Sequence, residues 1–87
     1  MQWRIKSTDT FRKSVKKHKS NRDLLSELDK KLKRLKYEPE TIGGMLSGKL
    51  HGKKSTRLTQ RFRLIFSTDS NNKIVYLIAL DHRRTVY

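Results

Sequence analysis

Cysteine is absent from the 87 residues. That excludes disulfide staples, thiolate metal sites and cysteine nucleophiles, and it fits a reducing compartment. Proline occurs once, at Pro39, and glycine only four times. With no linker, low-complexity tract or internal repeat, residues 1–87 read as one domain. No apolar run approaches the ~20 residues of a membrane span. The opening MQWRIKSTDT lacks the apolar stretch of a signal peptide, so the expectation is a cytoplasmic protein without a membrane partner. Acids are scarce too: 8 Asp and Glu stand against 22 Lys and Arg, a formal charge of +14. Such an excess opposes compaction by self-repulsion and attracts polyanions. Leu, Ile, Val and aromatic residues are still frequent enough to exclude a disordered polyampholyte.

The apolar residues are ordered by period. Trp3 and Ile5 alternate with Gln2, Arg4 and Lys6, which predicts a short strand over Gln2–Lys6. Thr8 or Asp9 offers a helix N-cap. Phe11, Val15 and His18 follow as a narrow helical stripe, with His18 facing the core. Ser20-Asn21-Arg22-Asp23 has capping-box spacing, and Leu24, Leu25, Leu28, Leu32 and Leu35 then line one face of a second helix. Two helices across so short a break form a hairpin. Pro39 ends the second helix, since it disfavours helical geometry at Glu38. Gly43, Gly44 and Gly48 predict a loop. Arg57–Leu58 and Phe62–Ser67 read as paired strands around Thr59-Gln60-Arg61, and Asp69-Ser70-Asn71-Asn72 as a turn. Lys73–Leu80 is apolar on both faces and should be a central strand; Thr85–Tyr87 is a last short strand or tail. The expected class is α+β in the order β-α-α-β-β-β-β, an N-terminal strand and a helical hairpin followed by a mainly antiparallel sheet.

Residues 1–36 carry 13 Lys and Arg against 4 acids, and most of these cations lie off the Leu stripe, where a solvated helix face accounts for them. The second excess is better organised. Lys49, Lys53, Lys54, Arg57, Arg61 and Arg63 follow one another with no acid between them. In the strand 61–67, alternation puts Phe62, Leu64 and Phe66 toward the helices and Arg61, Arg63 and Ile65 on the other face. A guanidinium on a rigid strand suits a bidentate grip on phosphate; a solvated sheet face is the plainer alternative. The ending Asp81-His82-Arg83-Arg84-Thr85-Val86-Tyr87 is either a charged tail or a set of titratable and cationic groups beside that strand.

Three stretches resemble the RelE/ParE toxin superfamily of toxin–antitoxin systems. Leu46-Ser47-Gly48-Lys49-Leu50-His51-Gly52 is similar to its leucine-glycine approach to the sheet. Ser55-Thr56-Arg57-Leu58-Thr59-Gln60-Arg61-Phe62-Arg63-Leu64-Ile65-Phe66 is similar to its arginine strand, turn and aromatic-Arg-Leu core, closest to the YoeB-like branch. Asp81-His82-Arg83-Arg84-Thr85-Val86-Tyr87 is similar to the RelE-type ending. The resemblance implies a RelE-like fold. It also implies a concave cationic sheet face that docks in the ribosomal A site and cuts mRNA there, with an acidic cognate antitoxin as partner. The family chemistry uses the RNA's own 2′-hydroxyl to attack the adjacent phosphodiester, which calls for no cofactor and no metal. It needs a base for that hydroxyl, a cation for the phosphorane and an acid for the leaving 5′-oxygen.

By position, the resemblance gives Arg63 the role of phosphate and transition-state ligand, Arg57 that of RNA-backbone binding and Arg83 that of a further phosphate ligand. Tyr87 matches the terminal tyrosine, which stacks on a base or orients the attacking group. His82 fits proton transfer, because an imidazole gives or takes a proton near neutral pH. Lys53 and Lys54 align with the lysines of the RelE-type site, and Lys49 and Arg61 extend the RNA-binding set. The YoeB-like general-base glutamate has no counterpart, Gly44 standing near that point, and the base stays open between His82, His51 and Lys54. The main alternative is a ParE-like relative that shares the fold and inhibits DNA gyrase without cutting RNA. A non-catalytic nucleic-acid module would instead interleave exposed aromatics with the basic strand.

Overall fold

The computed structural model describes residues 2–45 and 53–82. Arg4–Ser7 forms β1, Asp9–Lys17 α1, Arg22–Leu35 α2, Gly44–Met45 β2, Lys54–Arg57 β3, Phe62–Asp69 β4 and Ile74–His82 β5. The strands make one five-stranded sheet in the order β1-β5-β4-β3-β2, with β1 parallel to β5 and every other pair antiparallel. The α+β class and the order β-α-α-β-β-β-β hold, but the fourth later strand is β2. It forms where a glycine loop was expected, because Gly44 pairs with Ser55 and Met45 with Lys54. The expected strand over residues 85–87 lies outside the described residues.

Local chemistry fixes each helix start. The Thr8 hydroxyl accepts a hydrogen bond from the Phe11 N–H at 3.1 Å and also lies 2.9 Å from the Leu77 and Ile78 carbonyl oxygens, so the α1 cap is fastened to β5. The α2 cap is Asn21, one residue later than capping-box spacing suggests. Its side-chain oxygen accepts from the Leu24 N–H at 3.1 Å, one residue beyond the Asp23 N–H that a Ser20 cap would take.

One core lies between the helices and the sheet. Phe11, Leu24, Leu28 and Leu35 meet Leu64, Phe66, Val75, Leu77 and Leu80, all buried. The central position of β5, between β1 and β4, explains why its run is apolar on both faces. Removing such side chains from water contributes about 25 cal/mol per Å² of apolar surface, which is what holds a chain of this charge together. The β4–β5 turn is closed by Asp69, whose carboxylate accepts from the Asn71 and Asn72 N–H groups and from the Asn72 amide. The Asn72 amide, and then its backbone N–H, hold the Asp69 carboxyl below the usual range. Lys73 takes the left-handed conformation that completes the reversal.

Candidate nucleic-acid interface

Cross-strand register decides which charged side chains share a face, since directly paired residues project to the same side of a sheet. Arg57 pairs with Arg63, and Arg63 pairs with Asp81, giving one row across β3, β4 and β5. At the usual strand spacing that row is about 10 Å wide. It lies on the face away from the helices, as the alternation of Phe62, Leu64 and Phe66 requires. The next row, Ser55, Ile65 and Ala79, is buried and backs it with a stiff floor. Arg57 is exposed, whereas Arg63 and Asp81 are half-buried and the Arg63 Nε is shut off from solvent. Two guanidinium-bearing residues directly opposite each other concentrate positive charge at the centre of this face, with Asp81 on the far side of Arg63.

A bulge in β5 settles what joins this row. Ile65 pairs with Ala79 but Phe66 pairs with Leu77, so Ile78 is an extra residue on β5. Simple alternation counted from Tyr76 puts His82 on the open face. The bulge moves it to the helix side, opposite Phe62, and brings Asp81 to Arg63 instead. The His82 ring meets Phe62 edge-on at 5.5 Å, and His18 meets the same ring at 4.8 Å. His82 therefore does not stand beside Arg63, contrary to expectation. Asp81 was not singled out from the sequence, because no periodic signal reveals a bulge within a continuous apolar run.

The other expected site residues divide. Lys54 pairs with Phe66, on the helix side; its ammonium donates to the carbonyl oxygens of Pro39 at 3.2 Å and Glu40 at 3.0 Å and sits 5.7 Å above the Phe66 ring. It ties the segment after α2 to the sheet and is turned away from the Arg57–Arg63 row. Lys53 is half-buried immediately before β3. Arg61 lies in the β3–β4 turn, not in the strand. Its N–H is fixed by the Thr59 hydroxyl at 3.2 Å, and with Asn21, Asp23, Thr59, Gln60 and Phe62 it lines an open cleft of about 280 Å³. Lys49, His51, Arg83 and Tyr87 lie outside the described residues. Among the described residues, no group of three or more His, Asp and Glu is placed to hold a metal ion, and no helix is long and apolar enough to cross a membrane.

No family model and no curated protein matches the sequence. Solved structures do. A toxin–antitoxin complex from Mycobacterium tuberculosis, RelBE2, matches at 26% identity over 95% of this chain and 100% of that one, with a TM-score of 0.79. The chain has the fold of the RelE/YoeB-like toxins and is similar to them. Two further members show the same fold at lower identity. A chain of the DinJ–YafQ toxin–antitoxin complex of Escherichia coli matches at 14% identity, covering 100% of this chain and 99% of that one, with a TM-score of 0.80. A chain of the YoeB–YefM complex of Staphylococcus aureus matches at 20%, covering 93% and 97%, with a TM-score of 0.71.

Proposed function

We propose that this chain is the toxin of a type II toxin–antitoxin pair and acts as a ribosome-dependent endoribonuclease, cutting mRNA in the A site by attack of the 2′-hydroxyl on the neighbouring phosphodiester. The observation that carries the reading is the Arg57–Arg63 pair, two like charges directly opposed on a stiff sheet face. Two guanidinium groups on neighbouring strands of one face offer a phosphate charge-assisted hydrogen bonds from both sides. Arg63, the more buried of the two, holds the phosphate as charge accumulates in the transition state, and Arg57 grips the adjoining backbone. Arg83 and Tyr87 complete the set in this reading, on the strength of the sequence resemblance. Arg61, Lys53 and Lys49 provide the electrostatic approach, while His82 supports Phe62 from the far side of the sheet. An acidic antitoxin that covers this face neutralises part of the +14 charge and blocks the site.

The test is primer extension on mRNA from a translating extract, with DNA gyrase supercoiling measured in parallel. Wild-type protein is expected to give in-frame cuts that vanish when translation is blocked. Arg63→Ala is expected to lower cutting by about 10²–10³-fold, the usual loss for one transition-state donor. Intact mRNA together with inhibited gyrase supports the ParE-like alternative. Cutting by Arg63→Ala at the wild-type rate removes the assigned role of Arg63.

A further inference from the structure

The chain has eight carboxylates. Asp9, Glu27, Asp29 and Glu38 are held in ion pairs by Arg12, Lys30, Lys33 and Arg34 on the helices and their ends. Asp69 is consumed by its turn. Asp23 opens α2, and Glu40 follows it. Asp81 differs from all of these. It sits on a central strand, half-buried, on the face away from the helices and directly opposite Arg63. Despite two guanidinium-bearing residues in its row, no ion pair within 4.0 Å engages it among the described residues. Its neighbour His82 faces the other way, and Lys54 is committed to two carbonyl oxygens.

We infer that Asp81 is the general base that takes the proton from the attacking 2′-hydroxyl. The inference rests on the endoribonuclease reading. A side chain paired with Arg63 has its Cβ about 5 Å from that of Arg63, which puts the carboxylate on the same side of the sheet as the guanidinium and a phosphate held by it. The 2′-O–H bond breaks, and its proton passes to a carboxylate oxygen of Asp81. The 2′-oxygen lone pair forms the new bond to phosphorus, and the P–O5′ bond breaks with its electron pair leaving on the 5′-oxygen. That oxygen takes a proton from water, and Asp81 returns its own to solvent. The products are a 2′,3′-cyclic phosphate and a 5′-hydroxyl. The carboxylate also offsets part of the Arg57–Arg63 repulsion before RNA arrives. This explains why a single acid is tolerated in the middle of a phosphate-binding face.

The experiment compares wild type, Asp81→Asn and Asp81→Ala on purified ribosomes programmed with one mRNA. Each is also titrated with the same message carrying a 2′-O-methyl group at the cut site, which binds but cannot react. Asp81→Asn is expected to slow cutting by about 10²–10⁴-fold, the range for a lost general base. Binding of the 2′-O-methyl message should be unchanged or tighter, since a negative charge near phosphate has gone. Added formate is expected to restore part of the rate to Asp81→Ala and none to Arg63→Ala. Cutting by Asp81→Asn at the wild-type rate overturns the inference and leaves the endoribonuclease reading standing. A slowed rate with equally weakened binding and no formate rescue also overturns it, in favour of a positioning role. A wild-type protein that leaves the message whole removes the endoribonuclease reading and the inference with it.

Discussion

Lys54→Met separates a structural lysine from an RNA-binding one. Methionine keeps most of the apolar stem over Phe66 and deletes only the ammonium. The lost contacts are the bonds to the Pro39 and Glu40 carbonyl oxygens, at 3.2 and 3.0 Å, and the cation held 5.7 Å above the ring. Hydrogen bonds from a charged donor contribute about 1.5–3 kcal/mol, and the lower half of that range applies because the side chain is only half-buried. A loss of about 1.5–2 kcal/mol should lower Tm by roughly 6–16 °C in a domain of this size. RNA binding should keep its salt dependence, because the ammonium is committed to two carbonyl oxygens on the face away from the Arg57–Arg63 row. Arg57→Met should do the reverse, leaving Tm within about 2 °C while the slope of log K against log salt falls by about 0.7. The measurements are thermal unfolding by circular dichroism and a salt titration of RNA affinity. A Lys54→Met protein with wild-type Tm and a shallower salt slope would refute the assignment and return Lys54 to the RNA-facing set.

Two further outcomes are expected. Gly43 has φ +77° and an added Cβ would lie 2.5 Å from the Ser55 carbonyl oxygen, so Gly43→Ala should cost at least the ~1–2 kcal/mol of left-handed strain. Gly44→Ala meets nothing within 4 Å and should be close to neutral, and equal urea midpoints for the two variants would contradict the geometry. The Asp69 carboxyl is held below its usual value of 3.8 by the Asn72 contacts, so the stability it contributes is complete above that pH and is lost as pH falls through the lower folded value. The stability gap between wild type and Asp69→Asn should therefore be constant near neutrality and close only below about pH 4 in urea unfolding; a gap that ignores acid would contradict the turn contacts.

Local sequence pattern was enough for the N-terminal strand, both helices, the central place of β5 and the face carrying Arg63. Each follows from a local rule: a 3.6-residue Leu stripe, a period-two alternation, or a run apolar on both sides. The motifs also pointed to the RelE/YoeB-like toxins, whose fold the chain shares. Tertiary structure decided what stands next to what. Pairing with Ser55 turned a glycine stretch into β2, which no propensity of Gly44 favours. The reach of the Lys54 ammonium to the chain after α2 turned that cation away from the Arg57–Arg63 row, a contact spanning 14 and 15 residues. The single inserted residue at Ile78 exchanged His82 for Asp81 beside Arg63. Alternation is a local property and propagates only while the ladder is regular. A bulge is set by how two strands satisfy each other's hydrogen bonds, so the partner of Arg63 became visible only once β4 and β5 were paired.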